Sequence, residues 1–308
     1  MGAGFWGCSN CEGAPSELKK VEVSAQVSTR VSAQDSLGRT VTLPVYASRI
    51  ASLSPGFTEI FFAVGCGDKV ILRDKWSDYP PEASDLPFVS GLQPAVDKIA
   101  GFKPDLTVLY FKDARHAKAF DKIGLPVFIL DPKSFDEVAD SVETLGKLCG
   151  QAQRARILAA NMRKTRDDVV AKTKKLNDRP LTYVEIDGSD TVRPWTVGPG
   201  SFIHELLIAA GGRNAAGKIE TPYAQVTAES IVRSRPEAVL LLHVGSQGRD
   251  KILADFRARP GWQGLQSMSD KMIITSIDKD TLTRPGPRLA GGLEQLFKKL
   301  HGLSAEAR

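Results

Sequence analysis

From Arg49 onward, apolar positions follow two alternating rhythms. Arg49 to Ser54 (RIASLS) is a short alternating run of strand type, and Pro55-Gly56 follows as a turn. Thr58 to Val64 then carries apolar residues at helical spacing, closed by Gly65 and Gly67. Further apolar runs of strand length lie at Val70 to Leu72, Leu106 to Tyr110 and Val127 to Leu130. Helical patterns separate them at Asp97 to Gly101, Ala114 to Ile123 and Phe135 to Leu148. Strands that alternate with helices predict parallel sheets built from βαβ units.

Gln151 to Leu176 breaks this rhythm as one long helical pattern, with no Gly or Pro before Pro180. Such a helix is roughly 39 Å long at 1.5 Å per residue, too long for a crossover inside a small lobe. It suits a rigid spine, and a rigid spine predicts a cleft largely formed without ligand. Beyond it the strand–helix pattern restarts. Thr182 to Ile186 and Ala238 to Leu242 read as strands, and Phe202 to Ala210 as a helix ended by Gly211-Gly212. The halves echo one another. Pro55-Gly56 with Glu59 and Gly65 answers Pro199-Gly200 with Glu205 and Gly211. Asp97-Lys-Ile99 with Lys103-Pro104-Asp105 answers Glu229-Ser-Ile231 with Arg235-Pro236-Glu237. Two echoes in the same order predict two similar lobes. The expected class is α/β: two Rossmann-like lobes with parallel sheets joined by a single long backbone helix. The boundaries expected are a disordered leader over 1–26, lobes over 27–150 and 179–308, and the backbone helix over 151–178.

Composition adds constraints. The 308 residues suffice for a sizeable core, and the net charge of +5 is mild. The most basic run, Arg154 to Lys175, is laced with apolar residues and reads as the wet face of a helix, not a nucleic-acid surface. No run of eighteen apolar residues occurs. Met1 to Cys11 (MGAGFWGCSNC) lacks the charged and apolar regions of a signal peptide. Gly7-Cys8 reads equally as the remnant of a lipidation site or as part of an untidy leader. Cys8-x-x-Cys11 lacks the βαβ context of a redox motif. Cys66 and Cys149 each follow a helical pattern, either as buried thiols or as a disulfide formed in an oxidising compartment.

Two α/β lobes facing each other bring both sets of strand carboxyl ends to one cleft, where small molecules bind. Helix N-termini after Ser54-Pro55-Gly56 and after Gly198-Pro199-Gly200-Ser201 aim at it and favour anionic or carbonyl-rich groups. Catalytic signatures are scarce: there is no P-loop, no nucleophile elbow, and the four histidines have no metal-ligand spacing. His243 is singled out because it ends the Val239 to Leu242 run and should face the cleft. Capture without turnover, with no cofactor, is the expectation; an enzyme using the cleft is the competing class, and turnover separates them.

With these residues in view the chain resembles the helical-backbone class of periplasmic binding proteins, which serve importers of cobalamin, ferric siderophores and haem. The resemblance spans about Gly38 to Leu303 and rests on Leu-Gly-Arg-Thr-Val-Thr-Leu (37 to 43), Arg49 to Pro55 with Thr58-Glu59-Ile60, and Lys103 to Leu106. Trp76-Ser-Asp-Tyr-Pro-Pro-Glu82 and Asp280-Thr-Leu-Thr-Arg-Pro-Gly-Pro-Arg288 look most like the cobalamin-binding branch. Similarity to that branch implies a corrinoid in the cleft, with Trp76 against the ring and Asp280 and Arg284 near its amide-bearing edge. Tyr223 falls where the branch often has tryptophan, and Trp195 lies on a neighbouring segment. Ser90-Gly91 stands in place of an expected cleft tryptophan, and Phe111, beside Tyr110, in place of another. The ligand-binding set is therefore Ser54, Pro55, Trp76, Tyr110, Phe111, Trp195, Tyr223, His243, Asp280 and Arg284. Alternatives stay open: Trp76 and Trp195 also suit hinge packing, and Asp280 and Arg284 also suit an i,i+4 ion pair. Tyr110 and His243 would serve as axial ligands if the cargo were haem, and Arg284 with the helix N-termini would answer an anionic ferric siderophore. The resemblance further implies a monomer, periplasmic or anchored to the outer face of the membrane, that docks on an ABC permease through Asp97 and Glu229.

Overall fold

The computed structural model describes residues 1–2, 30–110, 114–243, 248–265 and 272–302. The leader with Cys8 and Cys11, and the site candidate Phe111, lie outside the described residues. A hairpin comes first, β1 (Val31–Gln34) with β2 (Thr40–Leu43), paired antiparallel. The Asp35 carboxylate closes its turn by accepting the Leu37 and Arg39 N–H groups, each at 3.0 Å.

The first lobe follows as β3 (Ile50–Leu53), α1 (Pro55–Ala63), β4 (Val70–Asp74), β5 (Phe88–Val89), α2 (Val96–Gly101), β6 (Leu106–Tyr110), α3 (Ala114–Asp121), β7 (Val127–Leu130) and α4 (Phe135–Leu148). Its sheet has the order β5-β4-β3-β6-β7, parallel throughout. The helix α5 (Ala152–Thr173) leads into β8 (Leu181–Asp187), β9 (Trp195–Val197), α6 (Phe202–Ala209), β10 (Arg213–Asn214), β11 (Tyr223–Gln225), α7 (Ala228–Ser234) and β12 (Ala238–Leu241). Then come α8 (Arg249–Arg257), β13 (Ile273–Ile274), α9 (Asp280–Thr283) and α10 (Leu289–Leu300).

The second sheet departs from the all-parallel expectation. Its order is β11-β9-β8-β12-β13, with β10 also on β8, and β9 runs antiparallel to both β8 and β11. Residues 188–194 are too few for a crossover helix, so β9 must turn back beside β8. The long helix also stops at Thr173, short of Leu176. Its final bonds, Lys175 N–H to Lys172 and Leu176 N–H to Thr173, tighten to the three-residue pattern that ends helices.

The echoes between the halves hold at the level of single bonds. Gly65 and Gly211 both adopt φ +84°, the left-handed conformation that closes α1 and α6. In each case the next residue donates back across the turn, Cys66 N–H to Phe61 and Gly212 N–H to Leu207. Among the described residues, Lys103 and Arg235, each before a proline, are the non-glycine residues with positive φ, at 51° and 52°. Asp105 then pins the entrance of β3 through the Arg49 N–H at 3.0 Å, and Glu237 pins that of β8 through the Leu181 N–H at 2.6 Å.

One apolar core runs through both lobes. It joins Phe57, Ile60 and Phe61 of α1 to Val138, Val142 and Leu145 of α4, Ala155, Ala159 and Met162 of α5, and Leu206, Leu293 and Leu296 of the second half. Smaller clusters fill the outer faces of the sheets, around Phe120 in the first lobe and Trp262 in the second. The spine seats closely because α4 offers Gly146 where a Cβ would lie 2.2 Å from that of Ala155. Cys66, just after α1, and Cys149, at the end of α4, are joined in a disulfide with Cα atoms 6.5 Å apart, within bridging reach.

That bond closes a loop of 83 residues. Chain-entropy arguments give about 4 kcal/mol for a loop of this length. Cys66→Ala with Cys149→Ala should lower the urea unfolding free energy by about 2–4 kcal/mol; a loss below about 0.5 kcal/mol would show that the core alone fixes this corner.

Candidate functional site

The carboxyl ends of β3, β4 and β6 surround a pocket of about 170 Å³ lined by Leu53, Ser54, Pro55, Asp74, Trp76, Gly91, Leu92 and Tyr110. The sheet dictates this position, since strand ends in an open α/β sheet leave a crevice there. Asp74, at the end of β4, is buried, and its carboxylate accepts the Trp76 N–H at 2.8 Å and the Gly91 N–H at 2.6 Å. One side chain therefore holds both loops that carry the pocket's wall. A second anchor is a buried hydroxyl cluster, in which Thr58 of α1 bonds Ser52 at 2.9 Å and Ser77 at 3.1 Å. Held from behind in this way, Trp76 keeps 59% of its surface exposed and Leu92 keeps 64%. Lys75 lies over the Trp76 ring at 4.7 Å. Gly91 is tight: a Cβ there would stand 2.3 Å from the Leu53 carbonyl oxygen. No tryptophan fits at 91 on this backbone, and exposed Leu92 supplies the apolar surface beside it.

Tyr110, at the end of β6, packs edge-on against Phe57 with ring centroids 5.8 Å apart. Burial pushes its phenol well above the ordinary value of 10, with the nearby Tyr223 and Asp131 adding to the rise. The Tyr223 phenol is raised by burial and by Asp131 in turn. One tyrosine from each lobe thus lies within electrostatic reach of Asp131, just past β7. Lys133 pairs with Asp131 at 2.7 Å.

In the second lobe Trp195 and Tyr223 sit on the β9–β11 ribbon. The register pairs Val197 with Tyr223 and Trp195 with Gln225, so the two aromatics are diagonal neighbours on one face. Trp195 pairs with Asp187 at the carboxyl end of β8 and is 41% exposed. His243, just past β12, is tied into a buried cluster. Its Nε2 lies 2.5 Å from Glu185, which accepts both Arg259 contacts at 2.7 and 2.8 Å and the Tyr183 hydroxyl at 3.0 Å. Burial pushes the Glu185 carboxyl up, but the His243 bond and the Arg259 charge outweigh it and hold the group below the usual range. Gly188 covers this cluster so closely that a Cβ would lie 2.5 Å from Glu185 and 2.8 Å from the His243 ring.

Asp280 and Arg284 are paired at 2.8 Å on the short α9, within a larger network. Arg284 also reaches Asp78 at 2.7 Å and Glu59 at 3.3 Å. Arg288 grips Glu59 with two bonds, at 2.7 and 2.9 Å, and reaches Asp278 at 3.0 Å. Burial raises the Asp78 carboxyl, but the Arg284 bond and charge prevail and hold it below its ordinary range. The network bolts the Trp76 to Tyr79 loop to the second half of the chain. The N-terminus of α1 lies against the same segment: a Cβ on Gly56 would meet the Pro285 carbonyl oxygen at 2.6 Å. Asp97 and Glu229 are both exposed, each in the first turn of its helix. Neither is the N-cap; Thr227 caps α7, and Glu229 is paired with Arg233.

Trp76, Ser54, Pro55 and Tyr110 therefore share one wall, and Trp195 lies beside Tyr223 on the second lobe's ribbon. Asp280 and Arg284 belong to the interlobe network behind the Trp76 loop. Sequence reasoning missed Asp74, Leu92, Asp131, Glu185 and Arg259. Asp74 ends β4 and Glu185 lies two residues before the end of β8, and an acid near the carboxyl end of a strand is the signal that was available.

A family model described as "Periplasmic binding protein" matches residues 50–277. An uncharacterized ABC transporter substrate-binding lipoprotein of Bacillus subtilis is 28% identical over 302 residues, covering 96% of this chain and 92% of the relative. A vitamin B12-binding protein of Vibrio cholerae is 27% identical over 257 residues, covering 82% of this chain and 89% of the relative. The crystal structure of a periplasmic vitamin B12 binding protein of Vibrio cholerae matches with a TM-score of 0.71 at 26% identity, over 84% of this chain and 99% of that one. A periplasmic heme-binding protein of Roseiflexus shares the fold, with a TM-score of 0.71 at 24% identity over 83% of this chain and 99% of that one.

The Glu185 cluster generates a pH prediction. Its folded carboxyl titrates below the ordinary value of 4.5, so its stabilisation is complete above that pH and is lost as pH falls through the lower folded value. Glu185→Gln should cost about 3 kcal/mol in urea unfolding at neutral pH, with the gap to the parent narrowing in acid. A gap that is the same at neutral and strongly acidic pH would show that the charge is not what holds the cluster.

Proposed function

This chain belongs to the periplasmic binding protein family, whose members serve transporters, and from that premise we propose that its cleft captures a corrinoid such as cobalamin. In this reading it acts as a monomer and hands the cargo to the permease of an ABC importer. The carrying observation is the apolar wall of Trp76, Pro55, Leu92 and Tyr110 in the first lobe, together with Trp195 and Tyr223 on one face of the second lobe's ribbon. At about 170 Å³ the first-lobe pocket is too small to enclose a tetrapyrrole, so a flat macrocycle would lie across the wall. Aromatic and aliphatic faces stack well on a corrin ring, whose polar amides lie at its edge.

Two features weigh toward a corrinoid over haem or a ferric siderophore. One candidate axial ligand is masked, since burial disfavours the Tyr110 phenolate that iron would require. The cations best placed for an anionic siderophore, Arg284 and Arg288, are already matched by Glu59, Asp78, Asp280 and Asp278. The vitamin B12-binding relatives, alike over four-fifths of the chain, point the same way.

Titration calorimetry with cobalamin, cobinamide, haemin and a ferric siderophore tests the reading. Saturable heat is expected with a corrinoid, and Trp76→Ala should weaken it at least about tenfold. Clear binding of haemin with no heat from either corrinoid would replace this reading with the haem one.

Docking on the permease is assigned to Asp97 and Glu229, one exposed acid on each lobe at equivalent places in the repeat. Exposed charges of this kind govern orientation and on-rate more than affinity. Asp97→Arg with Glu229→Arg is expected to leave ligand affinity intact and to impair transport in reconstituted vesicles. Normal transport by the double variant would remove the docking role.

A further inference from the structure

A second cavity, of about 280 Å³, lies away from the cleft where α4, α5 and α6 meet. Its floor is apolar, formed by Phe135 of α4, Val170 of α5 and Leu206 of α6, with Ile208 at the lip and 39% exposed. Its rim is cationic. Lys174 and Arg179 are both exposed, and among the described residues neither has an acidic partner. Arg166, stacked over the Phe135 ring at 5.5 Å, is by contrast matched by Asp136 and Asp167. The one acid in the lining, Glu205, is half-buried and commits one oxygen to the Phe135 N–H at 2.6 Å.

The C-terminal end of a helix favours a cation, which explains Lys174 at the close of α5. It does not explain Arg179, beyond the helix, nor why both cations border an open apolar pit. An apolar concavity with a few convergent charges is the usual form of a small-molecule site. We infer that this cavity binds an anionic amphiphile, an acyl chain bearing one carboxylate, with the chain on Phe135, Val170, Leu206 and Ile208 and the carboxylate between Lys174 and Arg179. A chain in the pit would remove apolar surface from water, and the paired unmatched cations select the sign of the head group. The pit is bordered by helices of both lobes and by the spine, so its occupant would touch the joint without entering the cleft.

Calorimetric titration of the full chain with sodium decanoate below its micelle concentration tests this. One-to-one saturation is expected, with decyltrimethylammonium and decanol at least about tenfold weaker. Lys174→Glu with Arg179→Glu, and separately Ile208→Asp, should each weaken decanoate at least about tenfold while leaving the cobalamin titration unchanged. Should circular dichroism show the charge reversal to be misfolded, Lys174→Gln with Arg179→Gln provides the same readout. Equal binding of the cationic or neutral amphiphile, or no effect of the variants, overturns the inference. So does loss of the decanoate heat on saturating the cleft with cobalamin, which would locate the binding there. Binding to phosphatidylglycerol vesicles without binding to free decanoate also overturns it, in favour of a membrane-facing surface.

Discussion

Two glutamates at matching places in the two lobes, Glu59 buried and Glu205 half-buried, hold the molecule together across its midline. Glu59 on α1 reaches into the second half of the chain, where Arg288 grips both its oxygens and Arg284 adds a third contact. Glu205 on α6 reaches the other way and accepts the first N–H of α4. A carboxylate taken out of water is costly unless its lone pairs are filled. Here the partners that fill them come from the opposite lobe, so separating the lobes would strand both acids. The apolar core that passes from α1 through α5 to α10 acts in the same sense. A joint of this kind resists the wide hinge motion that a single flexible linker would allow.

The cleft inherits its geometry from that joint. The Trp76 loop is held on one side by Asp74 and the Ser52–Thr58–Ser77 hydroxyls, and on the other by the bond from Asp78 to Arg284. Tyr223 and Tyr110 both lie within electrostatic reach of Asp131. A wall made of exposed tryptophan, leucine and proline would rearrange if its backbone were free, because its faces would be better hidden from water. Its presentation to solvent is therefore a property of the supports behind it. Binding to such a preformed wall avoids the ordering cost that a mobile loop would incur.

Much of the fold was legible from the chain alone. Strand and helix runs such as Leu106 to Tyr110, Val127 to Leu130 and Phe135 to Leu148 carry their identity in local periodicity, and the structure starts and ends them at the same residues. The echo of Pro-Gly, Glu and Gly in the two halves turned out to mark helix closure at Gly65 and Gly211 and the crossing carboxylates between them. The hairpin of β1 and β2 and the antiparallel β9 were not legible, because their short runs mix apolar and polar residues, whereas Val127 to Leu130 is apolar throughout. Of the candidate site, exposed aromatics could be named, since loop tryptophans beside strand ends have few structural uses. The partners of Arg284 could not, because Glu59 lies 225 residues away and nothing local in either segment reports the meeting. The same holds for Glu185, whose pairing with Arg259 spans 74 residues.

Asp74 places the backbone of Trp76 and of Gly91 through main-chain N–H groups, not through the side chains that face outward. The chemistry of the wall is thereby uncoupled from its position. A phenylalanine, a histidine or a glutamine at 76, or a larger residue at 92, would be displayed from the same two fixed points without disturbing the support. A scaffold built this way can change what it recognises by single substitutions, each tested by selection without an accompanying penalty in folding.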